Sequence, residues 1–353
     1  MAHHIISFFF FLLLLSSNSF GQSALTRSVD SLIKISTPRS FNGIIKISQN
    51  GNTIYERAYG LSDAEKMVSL RMEDKFIIGS ISKQITAVLV LQEVQAGRIK
   101  LKNTIHSYLP EFSERWADSV TIQQLLNHTS GIRNWNTPLL FEPGRQFSYS
   151  NLNYAILGKV VEKTSSQTYA NLTRALFSAC KMVDSKVPAS TPQDKKHQKI
   201  VRGYVENHDK EWTSGDNILT LLNLPVMGVP AAGIISNVED LTRWNYCLHE
   251  RKILTDSIYR SMINEAVIRP HRWGEVKYGD GVQIDYIDGI QELSMSGYVP
   301  GFISTILYFP STKISVVILE NRSADPTDMT RVYYFHDQIR KLVKKNLVKQ
   351  SAD

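Results

Sequence analysis

The side chains of this sequence best suited to acyl transfer are Ser80 with Lys83 three residues on, and Tyr149 with Asn151 two residues on. Gly79-Ser80-Ile81-Ser82-Lys83 stands at the head of an apolar run with helical spacing, Ile81, Ile85, Val88, Leu89, Leu91 and Val94, that Gly97 stops. One helical turn puts Ser80 and Lys83 on the same face. A helix start also offers unpaired N–H groups and a positive dipole end. A serine there can attack a carbonyl while its own N–H steadies the oxyanion. Lys83 can take the hydroxyl proton only where burial or a neighbouring charge lowers its pKa. Serine at a helix start also serves as a plain N-cap, and Ser31 and Lys34 repeat the spacing inside the expected N-terminal helix.

Phe147-Ser148-Tyr149-Ser150-Asn151 precedes a second expected helix, and Pro143-Gly144 marks a turn upstream. Tyr149 can accept the Ser80 proton and return it to a leaving group if a cation such as Lys83 stabilises its phenolate, since free Tyr titrates near ~10. Asn151 offers an amide to hold a substrate carbonyl and to fix Lys83. The simpler account has Asn151 capping its helix and Tyr149 packing over it. A third element, Leu293 to Phe302, leads into the strand expected from Phe302; in it Ser296 can donate to substrate and the Tyr298 N–H can be a second oxyanion donor, while the simpler account is a glycine-marked turn. Gly297 and Gly301 suggest backbone passing close to another group, such as a ligand. His128, at a helix end before Gly131, reads as structural. No metal-ligand spacing and no phosphate loop is present, so neither a metal nor a cofactor is expected.

These groups need a scaffold. Leu25–Ile35 reads as a short helix. Phe41–Ser48 and Thr53–Tyr59 read as a hairpin across Asn50-Gly51, and Phe76–Ile78 as a short strand. Helices are expected at Thr121–Leu126, Leu152–Glu162, Thr168–Phe177 and Val238–Leu248, the last with Ser236 as its N-cap. Strands return at Gly281–Tyr286, Phe302–Phe309 and Ile314–Leu319, before a final helix from Met329 to Leu347. The plan is α+β. An antiparallel sheet is built from both termini, about 22–80 and 250–350, with a mainly helical lobe, about 81–249, inserted between, and a cleft forms where the two meet.

Residues 1–21 read as a signal peptide cleaved after Gly21, because the Ile5–Leu15 run is far shorter than the roughly 20 residues that span a bilayer. The domain is then 22–350, and the protein is exported, periplasmic or secreted. Of its 353 residues 42% are hydrophobic and 21% charged, which excludes global disorder. Part of the net charge of +7 gathers in Arg340, Lys341, Lys344, Lys345 and Lys349. That run suits either weak contact with an anionic membrane surface or the solvated face of a terminal helix, and export argues against nucleic acid. Cys180 and Cys247 are the two cysteines. Export permits a disulfide between them, while a buried thiol at Cys247 fits its apolar helical surroundings equally well. The sequence assigns no oligomeric state.

Taken in order, Ser80-x-x-Lys83, Tyr149-x-Asn151, Thr121–Ile132, Ala232–Trp244 and Tyr278–Gly281 resemble the serine β-lactamase and penicillin-binding protein family. The likeness is to its class C β-lactamase-like branch, which includes D-alanyl-D-alanine carboxypeptidases, D-aminopeptidases and esterases. The resemblance covers about residues 30 to 345 and implies the β-lactamase/DD-peptidase fold. It also implies an acyl-enzyme on Ser80, formed with Lys83 and Tyr149 from a small-molecule ester, amide or peptide substrate that Asn151 helps to hold. The family's third motif, Lys or His followed by Thr or Ser and then Gly, is met by Met295-Ser296-Gly297, and the resemblance implies that these three contact substrate along with Asn151 and Tyr298. A thioether in place of the cation cannot attract a carboxylate. The expectation is therefore a serine hydrolase that favours uncharged esters or peptides held by other groups, unless Arg145, Arg133 or another cation reaches in. The alternatives are a silent binding protein with the same cleft, or a true β-lactamase or D-Ala-D-Ala carboxypeptidase.

Overall fold

The computed structural model describes residues 24–188, 200–207, 209–214, 228–264, 267–287 and 289–348. The expected signal segment lies outside them. Helix α1 spans 24–32 and buries Leu25 and Val29, along with Ile33 just beyond it, under the first strands. Strands β1 (Gly43–Gln49) and β2 (Asn52–Tyr59) form the hairpin that Asn50-Gly51 signals. Next come a small ribbon of β3 (Leu61–Asp63) with β4 (Val68–Ser69), then β5 (Phe76–Ile77), then α2 (Ile81–Gln95). Helix α2 buries every residue from Ile81 to Leu91, which makes it the central helix of the molecule.

Helices α3 (Ile122–Leu126), α4 (Asn151–Ser165) and α5 (Tyr169–Ala179) make the helical side. Helix α3 starts with a full capping box, Thr121 with Gln124. Strands β6 (Tyr204–Glu206) and β7 (Trp212–Ser214) follow, and then β8 (Ile235–Ser236), which pairs with β5. The strand expected at Phe76–Ile78 therefore sits in a two-stranded ribbon outside the main sheet. Helix α6 (Val238–His249) is capped by Asn237, whose side chain accepts from the Asp240 N–H at 2.9 Å. Ser236, the cap expected from sequence, is the last residue of β8 instead, with its hydroxyl 2.7 Å from that of Ser185. Although the sequence groups α6 with the helical lobe, it lies on the sheet: Asn245 donates to Leu307 O at 3.1 Å and Ser315 Oγ at 2.9 Å. Cys180 and Cys247 form a disulfide that ties the end of α5 to α6.

After α7 (Asp256–Asn264) come β9 (Val267–His271), β10 (Gly274–Tyr278), β11 (Gln283–Ile287), β12 (Ile290–Val299), β13 (Phe302–Phe309) and β14 (Ile314–Glu320). The eight-stranded sheet has the order β2-β1-β14-β13-β12-β11-β10-β9, antiparallel throughout, with β1 from the N-terminal side seated against β14. Strand β9 tolerates Pro270 because it is the edge strand. Strand β15 (Arg322–Ser323) joins β6 in a separate three-stranded sheet. The expected last helix is broken at Tyr333 into α8 (Met329–Val332) and α9 (Tyr334–Val343). Two cations of the basic segment turn inward there. Arg340 Nε donates to Glu292 at 2.8 Å, and Lys344 Nζ lies 2.6 Å from Glu292, so neither is offered to a membrane surface.

Candidate active site

Gly79, at φ 52, makes the turn between β5 and α2, and Ser80 follows at the helix head. The Ser80 side chain makes no capping bond. Its Oγ instead accepts from Lys83 Nζ at 3.1 Å and from the Tyr149 hydroxyl at 2.7 Å. The capping account of this serine is thus set aside. Lys83 is 0% exposed, and its Nζ also donates to Asn151 Oδ1 at 2.7 Å and to Ala231 O at 2.8 Å. Burial lowers the Lys83 pKa below its ordinary value; the nearby Tyr149 opposes this, and the Arg269 charge adds to it.

That set of partners fits both protonation states of the amine. The ammonium gives three N–H donors to three acceptors, whereas the neutral amine can keep two and turn its lone pair to Ser80. Asn151 is the first residue of α4, where Ser150 holds the cap position, so its amide is free to orient Lys83. Tyr149 is 38% exposed and looks into the cleft. Behind it His128 stacks with ring centroids 4.4 Å apart and accepts the Ser150 N–H on Nδ1 at 3.2 Å. Burial, with the Lys83 and Arg269 charges, pushes the His128 pKa well below its usual value. It is a neutral backing ring with no hydrogen bond to Ser80 among its partners.

The third element is a strand, β12, rather than a glycine-marked approach to one. Strand β11 stops pairing with β12 at Gln283 opposite Ser294, which leaves the stretch from Met295 to Val299 open on that side. A Cβ on Gly297 would collide with the Ile78 carbonyl, and one on Gly79 would sit 2.8 Å from the Tyr298 nitrogen. The close approach foreshadowed by the glycines is therefore to the serine turn itself, and it brings the Tyr298 N–H beside Ser80. Ser304 on β13 fixes the contact by donating to Ile78 O at 2.7 Å.

Ser296 lines the cleft, with its Oγ 3.4 Å from that of Thr305. Tyr298 lines it too, and its hydroxyl donates to Ala324 O at 3.3 Å. Met295 does not line it. At 1% exposed, it points with Leu293 into the main hydrophobic core. Alternation along the strand decides this, since neighbours of Ser296 must face the other way. The expectation that Met295 touches substrate is corrected accordingly.

The cleft has a volume of about 770 Å³, and Ser80, Tyr149, Asn151 and Ser296 share it with Arg269 and Arg272 of the β9 region. No sequence signal marked Arg269. Its guanidinium carbon lies 5.3 Å from the Tyr149 ring centroid, and its Nη1 donates to Gln283 Oε1. Of the cations suggested from sequence, Arg145 pairs with Glu142 at 2.9 Å on the surface, and Arg133 lines an adjoining cleft.

The beta-lactamase family model matches residues 39–341. The chain belongs to the beta-lactamase family. Among curated relatives it is 24% identical to penicillin-binding protein 4* of Bacillus subtilis over 324 residues, 81% of this chain and 69% of that one. It is also 24% identical to protein flp of Staphylococcus aureus over 313 residues, but spans only 59% of that protein's length. The D-amino acid amidase of Ochrobactrum anthropi SV3, solved with L-phenylalanine amide, superposes with a TM-score of 0.79 at 18% identity, covering 93% of this chain and 100% of that one. The D-alanine carboxypeptidase AmpC of Burkholderia cenocepacia gives 0.72 at 19% identity, covering 91% and 99%. Membership in the beta-lactamase family supports a hydrolase function in general.

Proposed function

We propose that this family member is a serine hydrolase that cleaves an ester or amide carbonyl through an acyl-enzyme on Ser80. The observation that carries the reading is a single hydroxyl oxygen held 2.7 Å from the Tyr149 hydroxyl and 3.1 Å from a buried amine. In the first half-reaction the neutral Lys83 amine, in concert with Tyr149, takes the Ser80 proton as Oγ bonds to the carbonyl carbon. The carbonyl electron pair moves onto oxygen, next to the Ser80 and Tyr298 N–H groups. Collapse breaks the bond to the leaving group, which departs with the proton handed over by Tyr149 on the cleft side. Water then attacks the ester on Ser80 by the reverse route, releasing the acid and restoring the serine. Relatives named as an amidase and a carboxypeptidase support an amide or peptide-like substrate.

Incubation with a fluorophosphonate followed by intact mass tests this. One adduct, mapped to Ser80 and absent from Ser80→Ala, is expected. An unlabelled protein, or an adduct that persists in Ser80→Ala, would sink the proposal in favour of a silent binding protein.

Export is part of the same proposal. The Cys180–Cys247 disulfide supports an oxidising compartment. The mature chain isolated from its host should begin at Gln22, which N-terminal sequencing reads directly.

A further inference from the structure

A carboxylate-bearing substrate needs a cation in the cleft, and the third motif supplies none, because β12 carries Met295 and turns it into the core. Of the two guanidinium groups that line the cleft among the described residues, Arg272 is spoken for. Its side chain is 8% exposed and it grips Asp337 through both Nε and Nη2 at 3.0 Å. His271, between them, is driven by burial and by the surrounding arginines to a pKa of about 2, which leaves it neutral.

Arg269 differs from both. No ion pair joins it to a carboxylate among the described residues, and its hydrogen-bond partner is the neutral amide of Gln283. That amide is itself fixed: Gln283 is buried and donates to Ser294 Oγ at 3.3 Å. The guanidinium is also cradled by aromatic rings, 5.3 Å from the centroid of Tyr149, 5.7 Å from Phe147 and 5.5 Å from Tyr278. Such a cage orients a cation without neutralising it. The result is a part-buried, permanently charged guanidinium that lines the cleft beside the Tyr149 ring, the group best suited to bind a carboxylate through paired N–H donors.

We propose that Arg269 is the anion-recognition residue of this cleft, so that the preferred substrate is an ester or amide bearing a carboxylate within a residue's reach of the scissile carbonyl. The proposal rests on the serine-hydrolase reading and sharpens it. It also reverses the sequence expectation of a preference for uncharged substrates. The missing cation has been relocated from the strand beside Ser80 to the far edge strand, β9, with Gln283 bridging the gap.

The test uses two matched depsipeptide esters, one releasing hydroxybenzoate and the other hydroxybenzamide. The wild type should prefer the carboxylate ester in kcat/KM. Arg269→Gln should cut that preference by about ten- to a hundredfold, the range for losing a charge-assisted pair, with most of the change in KM. Arg269→Lys should restore part of it, because a point charge replaces the fork. An equal loss on both esters would overturn the proposal and leave Arg269 as a support for Tyr149; an unchanged preference would overturn it as well.

A second measurement does not depend on turnover. Hydroxybenzoate should bind Ser80→Ala protein at least tenfold more tightly than it binds Ser80→Ala/Arg269→Gln, as read by calorimetry. Failure of fluorophosphonate labelling with this binding difference intact strikes the hydrolase reading alone. Labelling of Ser80 without the difference strikes the Arg269 assignment alone.

Discussion

Lys83 and Glu320 are both ionisable side chains sealed in the interior, and they are held by opposite means. Glu320, at the end of β14, receives both arms of Arg39 at 2.7 Å and lies 3.0 Å from His336 Nε2. Burial pushes the Glu320 pKa up, but Arg39 and His336 outweigh it and the net shift is downward. Lys83 has three hydrogen-bond acceptors, Ser80 Oγ, Asn151 Oδ1 and Ala231 O, and none is a carboxylate. Its pKa falls because nothing repays its desolvation in full. Full neutralisation makes a clasp; incomplete neutralisation leaves a group ready to exchange a proton. The Arg39 clasp also grips the C-terminal helices, with Nη2 donating to Val332 O at 2.6 Å, so one cluster closes the chain ends together while the other faces a cleft.

The largest expected effect comes from removing the amine that has no carboxylate partner. Lys83→Met should lower kcat/KM by about 10²- to 10⁴-fold, the range for losing a positioned proton carrier. Its folding free energy should stay within about 1–2 kcal/mol of the wild type, because the lost hydrogen bonds are offset by the lost desolvation penalty. Urea titration checks the second half. A loss much larger than that would place Lys83 with Glu320 as a structural charge and erase the distinction.

Arg39→Met should do the reverse. Stripping one partner from a buried pair typically costs about 3–5 kcal/mol, because the other charge is stranded. Urea unfolding should show that loss, while the fraction that remains folded still takes the fluorophosphonate on Ser80. Unchanged stability would mean that Glu320 does not need its guanidinium.

The two clusters should also differ in their response to pH. The folded pKa of Lys83 lies below the unfolded value, so the folded state holds fewer protons, and its contribution to stability rises with pH until the unfolded lysine titrates near ~10.4. For Glu320, also depressed, the contribution is in place above the unfolded value of about 4.3 and is lost as pH falls through the folded one. Relative to Lys83→Met, the wild type should therefore gain stability between neutral pH and the unfolded lysine value, at no more than about 1.4 kcal/mol per pH unit. A flat difference across that window would show that Lys83 titrates alike in both states.

The sequence made one of these clusters legible and hid the other. The head of α2, the Asn50-Gly51 hairpin and the order of Ser80, Lys83, Tyr149 and Asn151 are local signals, readable wherever spacing and helix starts are. Arg39, Glu320 and His336 lie in separate parts of the chain, and only the pairing of β1 with β14 and the packing of α9 brings them together. Arg269 was invisible for the same reason, since an arginine beside a proline carries no motif. The face shown by Met295 is misjudged when its segment is read as a glycine-marked turn, because only a strand's two-residue alternation decides which side each residue meets.

That misjudged face leads to the smallest predicted effect. Met295→Leu should be nearly silent: a volume-conserving swap in the core costs less than about 1.5 kcal/mol, and kcat/KM on either benzoate- or benzamide-releasing ester should not move. Met295→Lys restores the family's residue type on paper, yet here it would drive an ammonium among Leu293, Ile306 and their neighbours. Those apolar side chains offer it no acceptor, so stability should fall by several kcal/mol with no gain in carboxylate preference. If the Met295→Lys variant instead stays as stable as the wild type and gains that preference, β12 can turn this position outward to the cleft. The reactive cluster would then have a second route to the cation now assigned to Arg269, and the boundary drawn between packing residues and cleft residues along β12 would have to be redrawn.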